Sequence, residues 1–181
     1  MSPERWRLFV AVPIPDDLRR DLAAAVERWR VEADVPELRW TDPASWHVTL
    51  AFLGASPADE VPSIVKALRG AVAGYAAFSL PTGGLGAFPR PQYARVVWYG
   101  VGDEGRLAEL ARSIRDALRV EDGAFRAHIT LARLPRALSL AEWLANHQAP
   151  PGELPVDSIQ LMRSGPGVAV RYEALVRVTL D

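Results

Sequence analysis

The chain contains no cysteine, which excludes disulfide bonds and thiol chemistry. It has no run of about 18 apolar residues that would predict a membrane-spanning helix. Its first residues lack the basic and long apolar segments of a secretory signal, so we expect a cytoplasmic protein that does not enter membranes.

Only one of the 21 basic residues, Lys66, is a lysine, and the formal net charge is −1. That charge argues against a surface that follows a long nucleic-acid backbone. A small anion or one nucleic-acid end fits better, because the planar guanidinium of arginine suits phosphate.

Histidine is also scarce, and the few that exist are arranged in a pattern. The chain has three histidines, and two of them open the same four-residue motif, His47-Val48-Thr49-Leu50 and His128-Ile129-Thr130-Leu131. In a strand, successive side chains point to opposite faces, so the histidine and threonine of each motif share one face. The apolar residues of each motif then face a core. We therefore predict two core strands that each carry an imidazole and a hydroxyl on their open side.

The order of predicted elements repeats along the chain. Each half runs strand, helix, motif strand, helix, strand, and the repeat offset is about 80 to 90 residues, longer than an ordinary solenoid unit. The first half opens with a buried strand over Arg7–Val12 and a helix over residues 16 to about 33, with Leu18, Leu22, Val26 and Trp29 on its inner stripe. A Gly- and Pro-rich segment, residues 81–91, is interpreted as an irregular connector between the halves. The repeat predicts one domain over residues 1–181 with two similar lobes, whose motif strands face each other across a cleft.

Two opposed imidazoles suit general acid–base catalysis, because an unperturbed histidine titrates at about pH 6.5. One neutral ring can remove a proton from water while the other, protonated, donates to a leaving oxygen. That arrangement fits in-line displacement at phosphorus, with the hydroxyls of Thr49 and Thr130 bonding phosphate oxygens. The scheme needs no metal or other cofactor. A zinc site is disfavoured, since each strand supplies one histidine and no cysteine is available.

Arg133 is the best candidate for an additional phosphate ligand, because an arginine can hold the anion and stabilise charge that grows in the transition state. Strict alternation places it on the Ile129 and Leu131 face, away from the histidines. It reaches the cleft only if the strand bulges or ends near Ala132.

The paired motifs resemble those of the 2H phosphoesterase superfamily, and the greatest likeness is to its RNA 2′,3′-cyclic phosphodiesterase branch, also called 2′-5′ RNA ligases. The likeness spans nearly the whole chain. The segments that carry it, besides the motifs, are Arg7–Val12, Arg39-Trp40, Ala51–Gly54, Gly84–Pro89, Arg95–Val101, Phe125–Ala127, Ala132-Arg133, Leu161–Ser164 and Tyr172–Leu175. The chain departs from the family at Ala51, where many members carry a basic residue, and at Ala127, where proline is common. The first departure leaves the preferred length of an RNA substrate open.

The resemblance implies an α+β, bilobed fold with two antiparallel sheets lining a central cleft and helices outside. It implies metal-independent hydrolysis of a 2′,3′-cyclic phosphate, at RNA ends or in small cyclic nucleotides, to a 2′-phosphomonoester. By the family pattern His47 is the proton donor and His128 the proton acceptor, while Thr49, Thr130 and Arg133 bind the phosphate. We expect a monomer without a metal or membrane partner.

Two other functions are compatible with the same residues. Ligation of a 5′-hydroxyl to the cyclic phosphate in a 2′-5′ linkage reverses a transesterification and would use the same groups. A non-catalytic module that binds RNA ends is the other alternative. A structural role for both histidines is disfavoured by the repeated motif, whereas the lone His147 and the aromatic residues Phe9 and Trp46 are predicted to be structural.

Overall fold

The protein has an α+β fold. The computed structural model describes residues 4–32, 35–102, 105–121, 123–165 and 172–181. Within these ranges the chain forms nine strands, four α-helices and three short 3₁₀ helices. The strands are β1 (Arg5–Pro13), β2 (Arg39–Trp40), β3 (His47–Pro57), β4 (Phe78–Phe88), β5 (Ala94–Val101), β6 (His128–Leu138), β7 (Gly152–Val156), β8 (Ser158–Ser164) and β9 (Tyr172–Thr179). The helices are α1 (Asp16–Glu32), α2 (Val61–Val72), α3 (Arg106–Leu118) and α4 (Ala141–Asn146).

The strands form one continuous antiparallel sheet, which corrects the prediction of two separate sheets. Its order is β7-β4-β5-β6-β3-β1-β8-β9, and β2 is attached to β6. The two halves of the chain join where the motif strands β3 and β6 pair with each other at Val48 and Ile129. This pair connects the strands of both halves. The strands that were expected to form two sheets therefore form the two parts of a single sheet.

The motif strands share the same irregularity. In β3, Thr49 and Ala51 pair with consecutive residues of β1, which leaves Leu50 as an extra residue. In β6, Thr130 and Ala132 pair with consecutive residues of β5, which leaves Leu131 as an extra residue. Each strand therefore has a β-bulge at the leucine of its motif, and the bulge shifts the side chains that follow it to the opposite face, as far as the next irregularity in the register.

The helices pack on the apolar face of the sheet. The predicted stripe of α1 is confirmed, since Leu18, Leu22, Val26 and Trp29 are all buried. They join a core that includes the apolar motif residues, among them the fully buried Val48 and Ile129. Helix α1 ends at Glu32, and the two residues that follow lie outside the described ranges. No described helix is long and apolar enough to cross a membrane.

The segment predicted as a connector is mostly strand. Strand β4 continues to Phe88, and its register shifts between Thr82 and Leu85. Gly83 and Gly84 fill this irregularity with positive φ angles of 155° and 74°, a conformation that glycine adopts without a steric penalty. The glycines therefore mark a bulge in a strand, and the prediction of an irregular connector was wrong over residues 81–88.

Candidate active site

One cleft of about 900 Å³ collects all five residues predicted from the motifs. It lies on the face of the sheet opposite the helix-covered core. His47 and Thr49 line it from β3, whereas His128, Thr130 and Arg133 line it from β6. The structure thus brings together residues that are separated by about eighty positions in the sequence.

The position of the two histidines follows from the pairing of β3 with β6. Val48 and Ile129, each the residue after a motif histidine, form the pair that joins these strands. By that antiparallel register, each histidine stands opposite the threonine of the other motif and on the same face. His47 and His128 are therefore diagonal neighbours, a relation that separates residues by about 7–8 Å in a regular ladder. Both rings line the same cleft, and His128 lies near enough to lower the pKa of His47.

Both rings are held in the same way by the backbone. His47 Nδ1 lies 2.7 Å from the carbonyl oxygen of Ser45, and His128 Nδ1 lies 2.7 Å from that of Arg126. Because a carbonyl oxygen only accepts, each Nδ1 carries the hydrogen and donates it. Nε2 is then left for the cleft, where His47 Nε2 lies 3.0 Å from Thr49 Oγ1. A neutral ring in this tautomer accepts a proton at Nε2, and a protonated ring donates from it.

The surroundings favour the neutral form of both rings. Burial lowers the pKa of His47 below its usual 6.5, and the nearby His128 and Arg133 lower it further, against the carbonyl of Ser45, which raises it. Burial also lowers the pKa of His128, Arg133 adds to this effect, and the carbonyl of Arg126 opposes it. Both rings are thus largely neutral at pH 7 in the free protein. A bound phosphodiester, being negatively charged, would raise both pKa values.

The bulge in β6 resolves the geometric objection to Arg133. After the extra residue Leu131, Ala132 is buried and Arg133 is exposed on the cleft side, where it pairs in register with Val96. The side chain lines the cleft beside the histidines, and it lowers the pKa of both. Among the residues that the structure describes, no carboxylate forms an ion pair with it. Its guanidinium is therefore available to an anionic ligand.

Aromatic rings surround the histidines, and the motifs alone do not reveal them. Phe9 and Tyr172 contact His47, with ring centroids 4.9 and 5.2 Å away. Phe88 contacts His128 edge to face at 4.9 Å. Phe9 is only 4% exposed, as expected for a core residue, and it also lines the cleft. These rings exclude water from the imidazoles and account for the burial that lowers their pKa values.

Two positions that the sequence singled out lie away from the cleft surface. His147 stacks on Trp143 with ring centroids 4.4 Å apart, and its Nε2 lies 3.5 Å from a carboxylate oxygen of Glu32. This packing agrees with the predicted structural role. Ala51 is fully buried, because the bulge at Leu50 turns it toward the core. The residue type at position 51 therefore acts on the core face and not on the cleft wall.

Comparisons with known proteins agree with the geometry of the site. The model of the 2′-5′ RNA ligase superfamily matches residues 15–167. A protein named RNA 2′,3′-cyclic phosphodiesterase from Archaeoglobus fulgidus is 34% identical over 134 residues, which cover 72% of this chain and 73% of that protein. One of the same name from Methanothermobacter thermautotrophicus is 32% identical over 168 residues, covering 87% and 89%.

Solved structures extend the match to nearly the full length. Apo LigT of E. coli superposes with a TM-score of 0.77 at 29% identity and covers 98% of both chains. A structure from Thermus thermophilus, that of the protein TT0787, gives a TM-score of 0.74 at 29% identity, covering 96% of this chain and 97% of that one. LigT has also been crystallised with 3′-AMP and with phosphate. The chain therefore belongs to the 2′-5′ RNA ligase superfamily, within the 2H phosphoesterases.

Proposed function

We propose that the protein hydrolyses RNA 2′,3′-cyclic phosphate ends, and small 2′,3′-cyclic nucleotides, to 2′-phosphomonoesters. The observation that carries this proposal is the placement of two imidazoles, each with a backbone-bound Nδ1, as diagonal neighbours on one cleft face. The names of the related proteins support the same reaction. We further propose that residues 1–181 act as one monomeric domain, with the site between its two halves.

In the proposed mechanism the histidines exchange protons with opposite sides of the phosphorus. His128 Nε2 removes a proton from water as the water oxygen forms a bond to phosphorus. The bond from phosphorus to O3′ breaks, and protonated His47 delivers its Nε2 proton to that oxygen. The product is a 2′-phosphomonoester with a free 3′-hydroxyl. Each ring ends in the protonation state in which the other began, so proton exchange with solvent restores the starting state.

The other residues stabilise the phosphate as its charge grows. The hydroxyls of Thr49 and Thr130 lie on the same face as the rings and can donate to the non-bridging oxygens. Arg133 supplies a positive charge and a two-pronged donor to the same oxygens. Since general acid, general base and charge stabilisation all come from side chains, the proposed reaction proceeds without a metal ion.

A direct assay tests this proposal. The purified protein is incubated in EDTA with 2′,3′-cyclic AMP and with a short RNA that ends in a 2′,3′-cyclic phosphate, from pH 5 to pH 8. We expect a 2′-phosphate product from at least one substrate, and a loss of about 10²- to 10⁴-fold in rate for His47→Ala and for His128→Ala. His147→Ala is the matched control, since that ring lies outside the cleft, and it should retain activity.

Unchanged substrate at every pH would overturn the proposal. Tight binding of a 2′-phosphate end without turnover would instead favour the RNA-end binding module. Adding an acceptor RNA with a 5′-hydroxyl distinguishes the ligase alternative, because a 2′-5′ joined product would then appear. The family to which the chain belongs is named for that reaction, which is the reason to include the acceptor.

A further inference from the structure

The carbonyl oxygen of each bulge leucine is bonded by a group from another part of the chain. That of Leu50 accepts from Nε of Arg115, on helix α3, at 2.8 Å. That of Leu131 accepts from the backbone N of Thr41 at 2.8 Å and from its Oγ1 at 2.9 Å. A bulge leaves its extra residue without a partner in the neighbouring strand. Arg115 and Thr41 therefore supply hydrogen bonds that the bulged ladders do not.

Thr41 also holds the turn in front of the first motif. This turn, residues 42–46, contains Ser45, whose carbonyl oxygen orients the His47 ring. Thr41 directly precedes the turn, and at its other end the indole Nε1 of Trp46 donates to Thr41 Oγ1 at 2.8 Å. The hydroxyl hydrogen of Thr41 is in turn directed at two carbonyl oxygens of β6. Both ends of the turn are thus fixed on the strand of the second motif.

Arg115 has the corresponding contacts in front of the second motif. Its Nη1 donates to the carbonyl oxygen of Gly123 at 3.0 Å, and its guanidinium lies 5.5 Å from the ring centroid of Phe125. Both residues belong to the segment that leads to Arg126, whose carbonyl oxygen orients the His128 ring. Each of these two side chains therefore connects the bulge of one motif strand with the segment in front of the other motif's histidine.

We propose that Thr41 and Arg115 are positioning residues of the active site: Thr41 sets the place of the His47 ring, and Arg115 sets that of the His128 ring. The inference rests on the proposed function, because it assigns both residues to the same reaction. Neither residue exchanges a proton in that reaction. Each holds the segment whose carbonyl oxygen fixes one Nδ1, and a displacement of about 1 Å at a reacting group can cost about 10²-fold in rate. Because each set of contacts spans both motifs, it also fixes one ring relative to the other.

The first test removes the hydroxyl of Thr41 and keeps the shape of the side chain. Thr41→Val should lower kcat for 2′,3′-cyclic AMP by about 10- to 100-fold with little change in KM, because it displaces the ring and leaves the phosphate ligands in place. Thr41→Ser keeps the hydroxyl and should retain the rate. Thr179→Val, at an exposed position of β9 outside the cleft, is the matched control. If Thr41→Val does not fold, Thr41→Ala takes its place, since it leaves room for a water that can bond Trp46.

A double-mutant cycle shows whether each residue acts through its own histidine. In the His47→Ala background, Thr41→Val should cost less than about threefold, because the ring that it positions is gone. In the His128→Ala background it should keep its full loss. Arg115→Met should show the reverse pattern. Arg112→Met, at an exposed position of α3 outside the cleft, is its matched control.

Equal losses in the two backgrounds would overturn the proposal, because a general destabilisation or a direct contact with the substrate would give that result. No loss of kcat in Thr41→Val or in Arg115→Met on the otherwise wild-type protein would overturn it as well. Either outcome leaves the proposed function intact, since that function is tested on the wild-type protein and on the histidine variants.

A measurement that needs no turnover separates the inference from the proposed function. The chain has three histidines, so the ¹⁵N and Nδ1–H NMR signals of the rings can be assigned with the His47→Ala and His128→Ala variants. Thr41→Val should change the Nδ1–H signal of His47 more than that of His128, and Arg115→Met should do the reverse. If the wild-type protein turns over no cyclic phosphate, the proposed function fails and this pattern alone decides. Unchanged signals, or equal changes at both rings, would refute the inference.

Discussion

Replacing Arg133 by methionine should reduce kcat/KM for a 2′,3′-cyclic nucleotide and also shift its pH dependence. Methionine keeps much of the length of the side chain but removes its charge and its donors. The guanidinium lines the cleft beside both histidines, where it would hold the phosphate oxygens as charge develops on them. Removing one such preorganised donor typically costs about 2.7–4 kcal/mol, or about 10²- to 10³-fold in rate.

The same substitution has a second effect whose sign follows from the structure. The positive charge of Arg133 lowers the pKa of His47 and of His128. Removing that charge therefore raises both pKa values, so the kcat/KM optimum of Arg133→Met should lie at a higher pH than that of the wild type. Arg133→Lys keeps the charge but loses the paired donors. It should fall between the two proteins in rate and leave the optimum nearly unchanged.

The assay is a series of initial rates from pH 4.5 to pH 8.5 on wild type, both Arg133 variants and Arg136→Met. Arg136 lies on the same strand, outside the cleft, and pairs with Glu37 at 3.2 Å, so its replacement controls for loss of a surface arginine. Because Arg133 is exposed and has no ion-pair partner among the described residues, Arg133→Met should alter stability by no more than about 0.5 kcal/mol. A rate within threefold of wild type, or a large loss with an optimum that stays fixed or moves down, would refute the reasoning.

Three further predictions concern the pH optimum, the effect of removing metal ions on the rate, and the packing around two glycines. Wild-type kcat/KM should peak below pH 6.5, because the proposed acid and base of the free enzyme are His47 and His128 and both pKa values are lowered; a maximum above pH 7 would contradict the proposed roles. Addition of EDTA, followed by excess Mg²⁺, should leave the rate unchanged in each step, whereas loss and recovery would show that a metal takes part. Gly86→Ala should destabilise the fold by about 1–3 kcal/mol in denaturant unfolding, because its Cβ would meet a ring carbon of Trp98 at 2.1 Å. Gly70→Ala, in helix α2 with nothing within 4 Å of the new Cβ, should instead stabilise the fold by about 0.5–1 kcal/mol, and equal effects at the two sites would contradict the packing argument.

The alternation of side chains in a strand was enough to predict which motif residues face the core. Val48, Leu50, Ile129 and Leu131 are all fully buried. The same rule fails for Arg133, two residues after Leu131, because it assumes that the register between paired strands is unbroken. Both copies read Leu-Ala at this point, Leu50-Ala51 and Leu131-Ala132, and both residues of each pair are buried. This repeated break in alternation is the sequence signal that could have indicated the bulges.

The prediction of two sheets failed for a related reason. Which strands pair depends on contacts between residues that are far apart in the chain, and local patterns do not encode them. The pair between Val48 and Ile129 bridges the two halves of the chain. It decides whether the strands of the two halves form one sheet or two. Glycine and proline likewise indicate irregular backbone. The sequence around Gly83 and Gly84 does not show whether the irregularity ends a strand or lies within one.

The sequence by itself determined the family and the chemical groups, because two of three histidines stand in a repeated motif whose period places each beside a threonine. It also predicted the order of most helices and strands, since the periodicity of apolar residues is a local property, but it did not predict strand β7 or the full length of β4. Only the tertiary structure decided that Arg133 reaches the cleft. Its face depends on a bulge, and a bulge is a mismatch between two paired strands that neither strand specifies alone.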